Sequence, residues 1–152
     1  MQIIKIGGAT DYRLLDQSLQ KYFINDTESL HKIFLTKADG QTIMPYNITI
    51  HNRTLVFQYT VPGIIWCTFS ELCEQSLWVT EYQTIINHFN VIFISDVPYI
   101  ANMNTMKRFI VLVDELYENK AQLFCSAIDK PRMICSHTQF QRTASRLIEM
   151  CK

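Results

Sequence analysis

Glycine is scarce in this chain of 152 residues, and the glycines present do not form a phosphate-binding loop. Gly7, Gly8, Gly40 and Gly63 are the only four, and none of them precedes a lysine. The pattern G-x-x-x-x-G-K-[ST], whose backbone N–H groups cradle phosphates, is therefore absent from the sequence. The signatures G-x-G-x-x-G, G-x-S-x-G and H-E-x-x-H are absent too. The residues alone thus predict no self-contained catalytic site.

The sequence also lacks an excess of either charge. Lys+Arg and Asp+Glu number 14 each. This balance gives no overall electrostatic reason to expect nucleic acid or an anionic membrane as a partner. The segment 130–152 is an exception, since it carries five basic residues and one acid, Glu149.

No C-x-x-C pair occurs among the five cysteines, and the four histidines show no metal-ligand spacing. We therefore expect no metal site, and buried, reduced thiols in a cytosol-like compartment. Cys73 and His88 are residues of the kinds that can serve as a catalytic nucleophile and its base. A buried thiol and an unrelated histidine explain the same residues more simply.

Long apolar runs are missing as well. No stretch approaches the ~20 residues that a membrane-spanning helix requires, and the N-terminal segment MQIIKIGG is too short for the apolar core of a signal peptide. With 48% hydrophobic residues, the length favours one globular domain over 1–152.

The clearest pattern that is present predicts a βαβ unit. A short apolar run, Val91–Ile94, precedes a stretch from 106 to 118 with apolar residues at helical spacing, and a second apolar run follows at Ala121–Cys125. Strand, helix and strand of these lengths predict a parallel sheet that needs cover on both faces. We therefore predict an α/β fold with a parallel βαβ core and flanking helices.

Part of the predicted helix also resembles a Walker B strand, because a hydrophobic run ends at Asp114 and Glu115. In a Walker B strand these carboxylates would hold Mg²⁺. A strand ending at Glu115 would leave too few residues for a parallel crossover to the next strand. Periodicity and length therefore favour the helix.

The remaining chain predicts a β-hairpin, further helices and an aromatic core. The hairpin joins 47–50 to 54–59, and Pro62-Gly63 breaks the chain after it. Trp66, Phe69 and Tyr82 are expected chiefly in the core, with an exposed patch that grips a protein substrate as the alternative. Four polar pairs at capping-box spacing mark helix starts: Asn25/Glu28, Thr68/Glu71, Thr80/Gln83 and Thr138/Gln141. The last helix has an apolar stripe of Phe140, Ala144, Leu147, Ile148 and Cys151.

Several motifs follow one another in the order found in a known family. They are Gly8-x-x-Asp11-Tyr12-Arg13, Trp66-x-x-Phe69-x-x-Leu72-Cys73, Glu81-Tyr82, Val97-Pro98, Arg108-Phe109-Ile110-x-Leu112-Val113-Asp114-Glu115-Leu116-Tyr117, Ser126-Ala127 and Phe140-x-Arg142-Thr143-x-Ser145-Arg146-Leu147-x-Glu149-Met150. Together they cover nearly the whole chain. They resemble the C-terminal half of the ZapE family of AAA+ ATPases, the AFG-like ATPases of bacteria and mitochondria. Lys107 departs from the pattern, since the family usually shows arginine there.

The resemblance implies ATP-driven remodelling of protein partners, associated with bacterial cell division or with mitochondrial inner-membrane quality control. It implies a cytoplasmic bacterial protein, peripheral at the inner membrane, or a mitochondrial one in a eukaryote. The family's P-loop, Walker B segment and sensor asparagine lie upstream of the Asp11-Tyr12-Arg13 element. The chain therefore lacks its own ATP and Mg²⁺ site. A fragment, a split gene and a decayed relative all fit this pattern, as either an ATPase module or a stand-alone interaction module.

Arg142 and Arg146 are the candidates for function in this C-terminal portion. Four residues apart on a helix, they lie almost opposite the apolar stripe. One interpretation is a solvated surface with an Arg146–Glu149 pair. The other, implied by the resemblance, is that one arginine contacts the ATP γ-phosphate held by a P-loop portion, a role that suits the guanidinium fork.

Overall fold

The computed structural model describes residues 19–152, which form one six-stranded sheet with helices on both faces. The strands are β1 Tyr22–Ile24, β2 Met44–Ile50, β3 Arg53–Val61, β4 Ile64–Thr68, β5 Val91–Val97 and β6 Gln122–Ala127. The helices are α1 Thr27–Ala38, α2 Phe69–Cys73, α3 Val79–His88, α4 Met103–Glu118 and α5 Gln141–Met150, with a 3-10 turn at Thr138–Phe140 before α5. The motif Asp11-Tyr12-Arg13 lies outside the described residues.

The strand order is β1-β6-β5-β4-β3-β2. The strands β1, β6, β5 and β4 run parallel to one another. The strand β3 pairs antiparallel with both β4 and β2. The predicted α/β class is confirmed. The hairpin β2–β3 extends the parallel sheet at one edge and leaves β2 as the edge strand.

The predicted βαβ unit consists of β5, α4 and β6. α4 begins three residues before the predicted start, because the Asn102 side chain caps it by accepting a hydrogen bond from the Thr105 N–H at 3.0 Å. Its apolar face is buried at the expected spacing by Met106, Phe109, Leu112, Val113 and Leu116. Asp114 and Glu115 therefore lie on a helix, as periodicity predicts, and not at the end of a strand.

The turn between β2 and β3 is shorter than predicted. Only His51 and Asn52 form it, with φ angles of 50° and 63°, while Arg53 already pairs with Ile50. Two central residues with positive φ are typical of the type I′ hairpin turn, whose twist matches that of the strands.

A second tight turn, at Pro62-Gly63, joins β3 to β4. Gly63 has φ of +79°, where a side chain would strain the backbone. The sequence predicts only a break here, and it does not predict β4. Pairing with β3 on one side and β5 on the other stabilises this five-residue strand.

Among the predicted helix starts, the capping box of Thr68 and Glu71 is confirmed, with both reciprocal hydrogen bonds present. The start at Asn25 is wrong by one residue, because Asp26 accepts the bond from the Ser29 N–H instead.

The two later predicted boxes are also wrong. Glu81 accepts a hydrogen bond from the Trp78 N–H at 3.0 Å, so α3 begins at Val79 and includes Thr80. His137 accepts a bond from the Gln139 N–H, and a 3-10 turn precedes α5. Glu81 lies two residues before the predicted acceptor Gln83, and His137 lies one residue before the predicted acceptor Thr138, and the sequence spacing does not distinguish them.

The core has two parts because the sheet has two covered faces. On one face α1 packs Leu30 and Phe34 against Phe93 and Phe124. The remaining helices cover the other face and bury the predicted stripe of the last helix. The five cysteines are buried and free, as predicted. In residues 19–152, no helix has both the length and the apolar character that crossing a membrane requires.

Candidate functional site

The seam between α4 and α5 brings together several of the residues that the sequence singles out. Arg146 donates a hydrogen bond from Nη1 to Asp114 Oδ1 at 2.6 Å, and its Nη2 lies 3.6 Å from Glu118 Oε2. The Arg146 side chain is only 15% exposed. A guanidinium this shielded, held by a carboxylate on a neighbouring helix, fixes the position of α5 on α4.

Tyr117 completes this network. Its ring centroid lies 4.5 Å from the Arg146 guanidinium carbon, and its hydroxyl donates to Glu149 Oε2 at 3.1 Å. This hydrogen bond raises the pKa of Tyr117 above its ordinary value. The predicted Arg146–Glu149 pair is therefore wrong. Arg146 binds acids on α4, and Glu149 binds Tyr117, because contacts between the helices replace the contact within α5.

Arg142 lies one turn earlier on α5 and is exposed. Within residues 19–152 we find no ion pair or hydrogen bond from its side chain. The two arginines thus differ in environment. Arg146 is engaged, and Arg142 presents a complete guanidinium fork to the solvent.

This difference gives a prediction for stability. Arg146→Ala should lower the free energy of unfolding by about 1–3 kcal/mol, because it removes charged hydrogen bonds from a shielded site. Arg142→Ala should change it by less than about 0.5 kcal/mol, as is usual for exposed positions. Urea denaturation of both variants measures this. Equal midpoints for the two variants would contradict the assigned roles.

Three other family-motif residues have structural contacts. Arg108 donates to the Cys73 carbonyl at 3.1 Å and so ties α4 to the end of α2. Glu115 accepts a hydrogen bond from Gln83 on α3 at 3.1 Å. Phe69 is fully buried against Phe109, as predicted. These residues join the helices of one layer.

Trp66 is only half-buried, which differs from the core position expected for it. It stacks on Phe93 and lines an open groove of about 560 Å³ together with Phe34, His31 and Tyr59. The predicted core position is right for Phe69 and Tyr82 and only partly right for Trp66. The sequence gives little sign of the groove, because its residues come from α1, β3 and β4.

Cys73 and His88 do not form a catalytic pair. Burial raises the pKa of the Cys73 thiol to about 12, so the thiolate is scarce at neutral pH. His88 is exposed, and its Nδ1 lies 2.8 Å from the Thr84 carbonyl within α3. In the part of the chain that the structure describes, no group of three or more His, Cys, Asp or Glu side chains is placed to hold a metal ion.

The fold defines an α/β module consistent with the C-terminal part of an AAA+ ATPase. The model of the AFG1-like ATPase family matches residues 1–152, and the chain therefore belongs to this family. No solved structure matches the chain.

Two relatives show how much of a family protein the chain represents. Lactation elevated protein 1 homolog B of Danio rerio is 31% identical over 132 residues, which are 80% of this chain and 26% of that protein. Cell division protein ZapE of Escherichia coli (strain K12) is 25% identical over 159 residues, covering 97% of this chain and 42% of that protein. The chain thus spans less than half the length of these relatives.

Proposed function

We propose that this chain is the C-terminal module of a ZapE/AFG-like ATPase that remodels protein partners by ATP hydrolysis. The observation that carries the proposal is the family match over residues 1–152, combined with the 42% share of ZapE that the chain covers. The sequence contains no G-x-x-x-x-G-K-[ST]. In this proposal ATP and Mg²⁺ bind to a P-loop portion outside the aligned region.

The arginines of α5 supply the contact with that portion. Arg142 is the residue that reaches the nucleotide phosphates, because it is exposed and its fork matches phosphate oxygens. Arg146 holds α5 on α4 through Asp114, and so it positions Arg142. Arg146 is the alternative contact, but it would first have to leave Asp114.

The partners in this proposal are proteins: the P-loop portion and the polypeptides that the ATPase remodels. Nucleic acid is not among them, since the chain has no net charge. The setting in this proposal is the one that the resemblance to the ZapE/AFG-like ATPases implies, the bacterial cytoplasm at the inner-membrane surface or, in a eukaryote, the mitochondrion.

The second candidate is a stand-alone interaction module that no longer serves an ATPase. The half-buried Trp66 and its open groove favour this candidate, because such a surface can bind an apolar side chain of another protein. An adjacent upstream reading frame with a P-loop would favour the ATPase module. A genome without such a frame would favour the stand-alone module.

Calorimetry tests the proposal that ATP binds to the P-loop portion and not to this chain. The isolated chain should show no heat of binding with Mg²⁺ and ATP. The phosphates of ATP are held by a lysine and positioned backbone N–H groups of a P-loop, and this sequence does not supply them. It should bind the P-loop polypeptide. Micromolar affinity for ATP that is lost in Asp114→Asn would revive the Walker B interpretation and overturn the proposal.

A further inference from the structure

Among residues 19–152 no strand pairs with the outer side of β2, and the register of β2 on β3 shows which of its backbone groups point outward. Ile50 and Arg53 flank a two-residue turn and therefore form a hydrogen-bonded pair. The next pair, Thr49 and Thr54, is then not hydrogen-bonded, which agrees with the 3.2 Å contact between their hydroxyl oxygens.

By the same alternation, Asn47 and Thr49 direct their backbone N–H and C=O groups away from β3. Pro45 lies outside this regular register, because the pairing of β2 with β3 is irregular between Met44 and Tyr46, and proline has no backbone N–H to donate to a ladder. Asn47 and Thr49 are both exposed. The edge therefore offers two consecutive outward sites with a complete donor and acceptor.

This edge carries almost none of the features that usually prevent pairing. Natural edge strands are short, charged or interrupted by proline and bulges. The opposite edge of the sheet, β1, has only three residues. The proline and the register irregularity opposite β3 lie at the beginning of β2, and the run from Tyr46 to Ile50 has no charge, proline or irregularity.

The surface beside the edge is uncharged as well. Between Gly40 and Ser70 the sequence contains a single charged residue, Arg53, and its guanidinium is bonded to the Ser76 carbonyl. Val56, next to β2, is 47% exposed, and Met44 is 57% exposed. A partner strand laid along β2 therefore meets no formally charged side chain of β2 itself.

We propose that two copies of this chain pair through β2, antiparallel about a two-fold axis, to form one continuous sheet. The register places Asn47 opposite the partner's Thr49 and Ile48 opposite the partner's Ile48. In this register an outward-facing residue of one copy meets an outward-facing residue of the other on each side of the axis. Pro45 does not enter the ladder. Each Asn47–Thr49 pair then exchanges both backbone hydrogen bonds.

A second copy fits this edge because the edge is complementary to itself. An isologous contact joins the same patch on both molecules. A charged side chain near the two-fold axis would therefore lie beside the identical charge of the other copy and repel it. None is present from Gly40 to Asn52. The formal net charge of zero removes the overall repulsion as well. The inference is independent of ATPase function.

Sedimentation velocity across about a hundred-fold range of concentration tests the pairing. The wild-type chain should pass from monomer to dimer. Thr49→Pro should weaken the dimer by about ten-fold or more, because each copy loses an outward donor. Thr49→Val is the matched control, since it keeps the N–H and the branched side chain, and it should dimerise like the wild type.

Hydrogen exchange by NMR provides a second readout that does not depend on the proline variant folding. The amides of Asn47 and Thr49 should exchange more slowly as concentration rises. The amide of Ile24, which faces outward at the opposite edge according to the β1–β6 register, should not change. A chain that stays monomeric, a dimer unaffected by Thr49→Pro, or unprotected Asn47 and Thr49 amides would each overturn the proposal.

Discussion

Phe109→Ala should lower the free energy of unfolding by about 3–5 kcal/mol, the range for removing a large aromatic side chain from a packed core. Phe109 has no exposed surface. Its ring centroid lies 5.2 Å from that of Phe69 and 6.0 Å from that of Phe140. One side chain thus joins α4 to α2 and to the turn before α5, and its loss leaves a cavity among three elements.

Urea denaturation followed by circular dichroism measures this loss. The control is Ile110→Ala, because Ile110 is adjacent on the same helix but only half-buried. Its cost should be clearly smaller than that of Phe109→Ala. Equal costs at the two positions, or a loss below about 1 kcal/mol for Phe109→Ala, would contradict the observed orientation of α4.

Arg142→Ala should lower ATP turnover by about ten-fold or more in a mixture of this chain with the P-loop polypeptide, which corresponds to about 1.4 kcal/mol in the barrier. The exposed guanidinium lies outside the core, so the variant should fold like the parent. Arg142→Lys should recover only part of the activity, since an ammonium group keeps the charge and loses the planar fork.

The stability measurements separate this effect from a structural one. Arg146→Ala is expected to lower both stability and turnover, because it releases α5 from Asp114. Arg142→Ala is expected to lower turnover alone. Turnover at the parent rate in Arg142→Ala would remove Arg142 from the proposed nucleotide site.

The elements that could be predicted from the sequence are those whose signal is local. α4 follows from the spacing of Phe109, Leu112, Val113 and Leu116, which is the spacing of the face that it buries. The hairpin β2–β3 follows from two strand-forming runs around a short polar turn. Periodicity and length also favoured the helix over the Walker B interpretation, although the local sequence resembles a Walker B strand, and the structure confirms the helix.

The features that the sequence did not predict depend on residues far apart in the chain. β4 is a short run between a tight turn and a capped helix, and it becomes a strand because β3 and β5 lie on either side. Arg146 binds Asp114 across 32 positions of sequence, whereas the sequence of α5 alone offers only Glu149 as its partner. The groove at Trp66 also requires the packing of α1 on the sheet.

Steady-state ATP turnover shows whether this chain completes an ATPase whose P-loop lies elsewhere. The P-loop polypeptide is assayed alone, with this chain, and with Arg142→Ala. We expect the wild-type chain to raise turnover by about ten-fold or more and the variant not to do so. An identical rate with and without the wild-type chain, at concentrations where calorimetry shows the two bound, would contradict it.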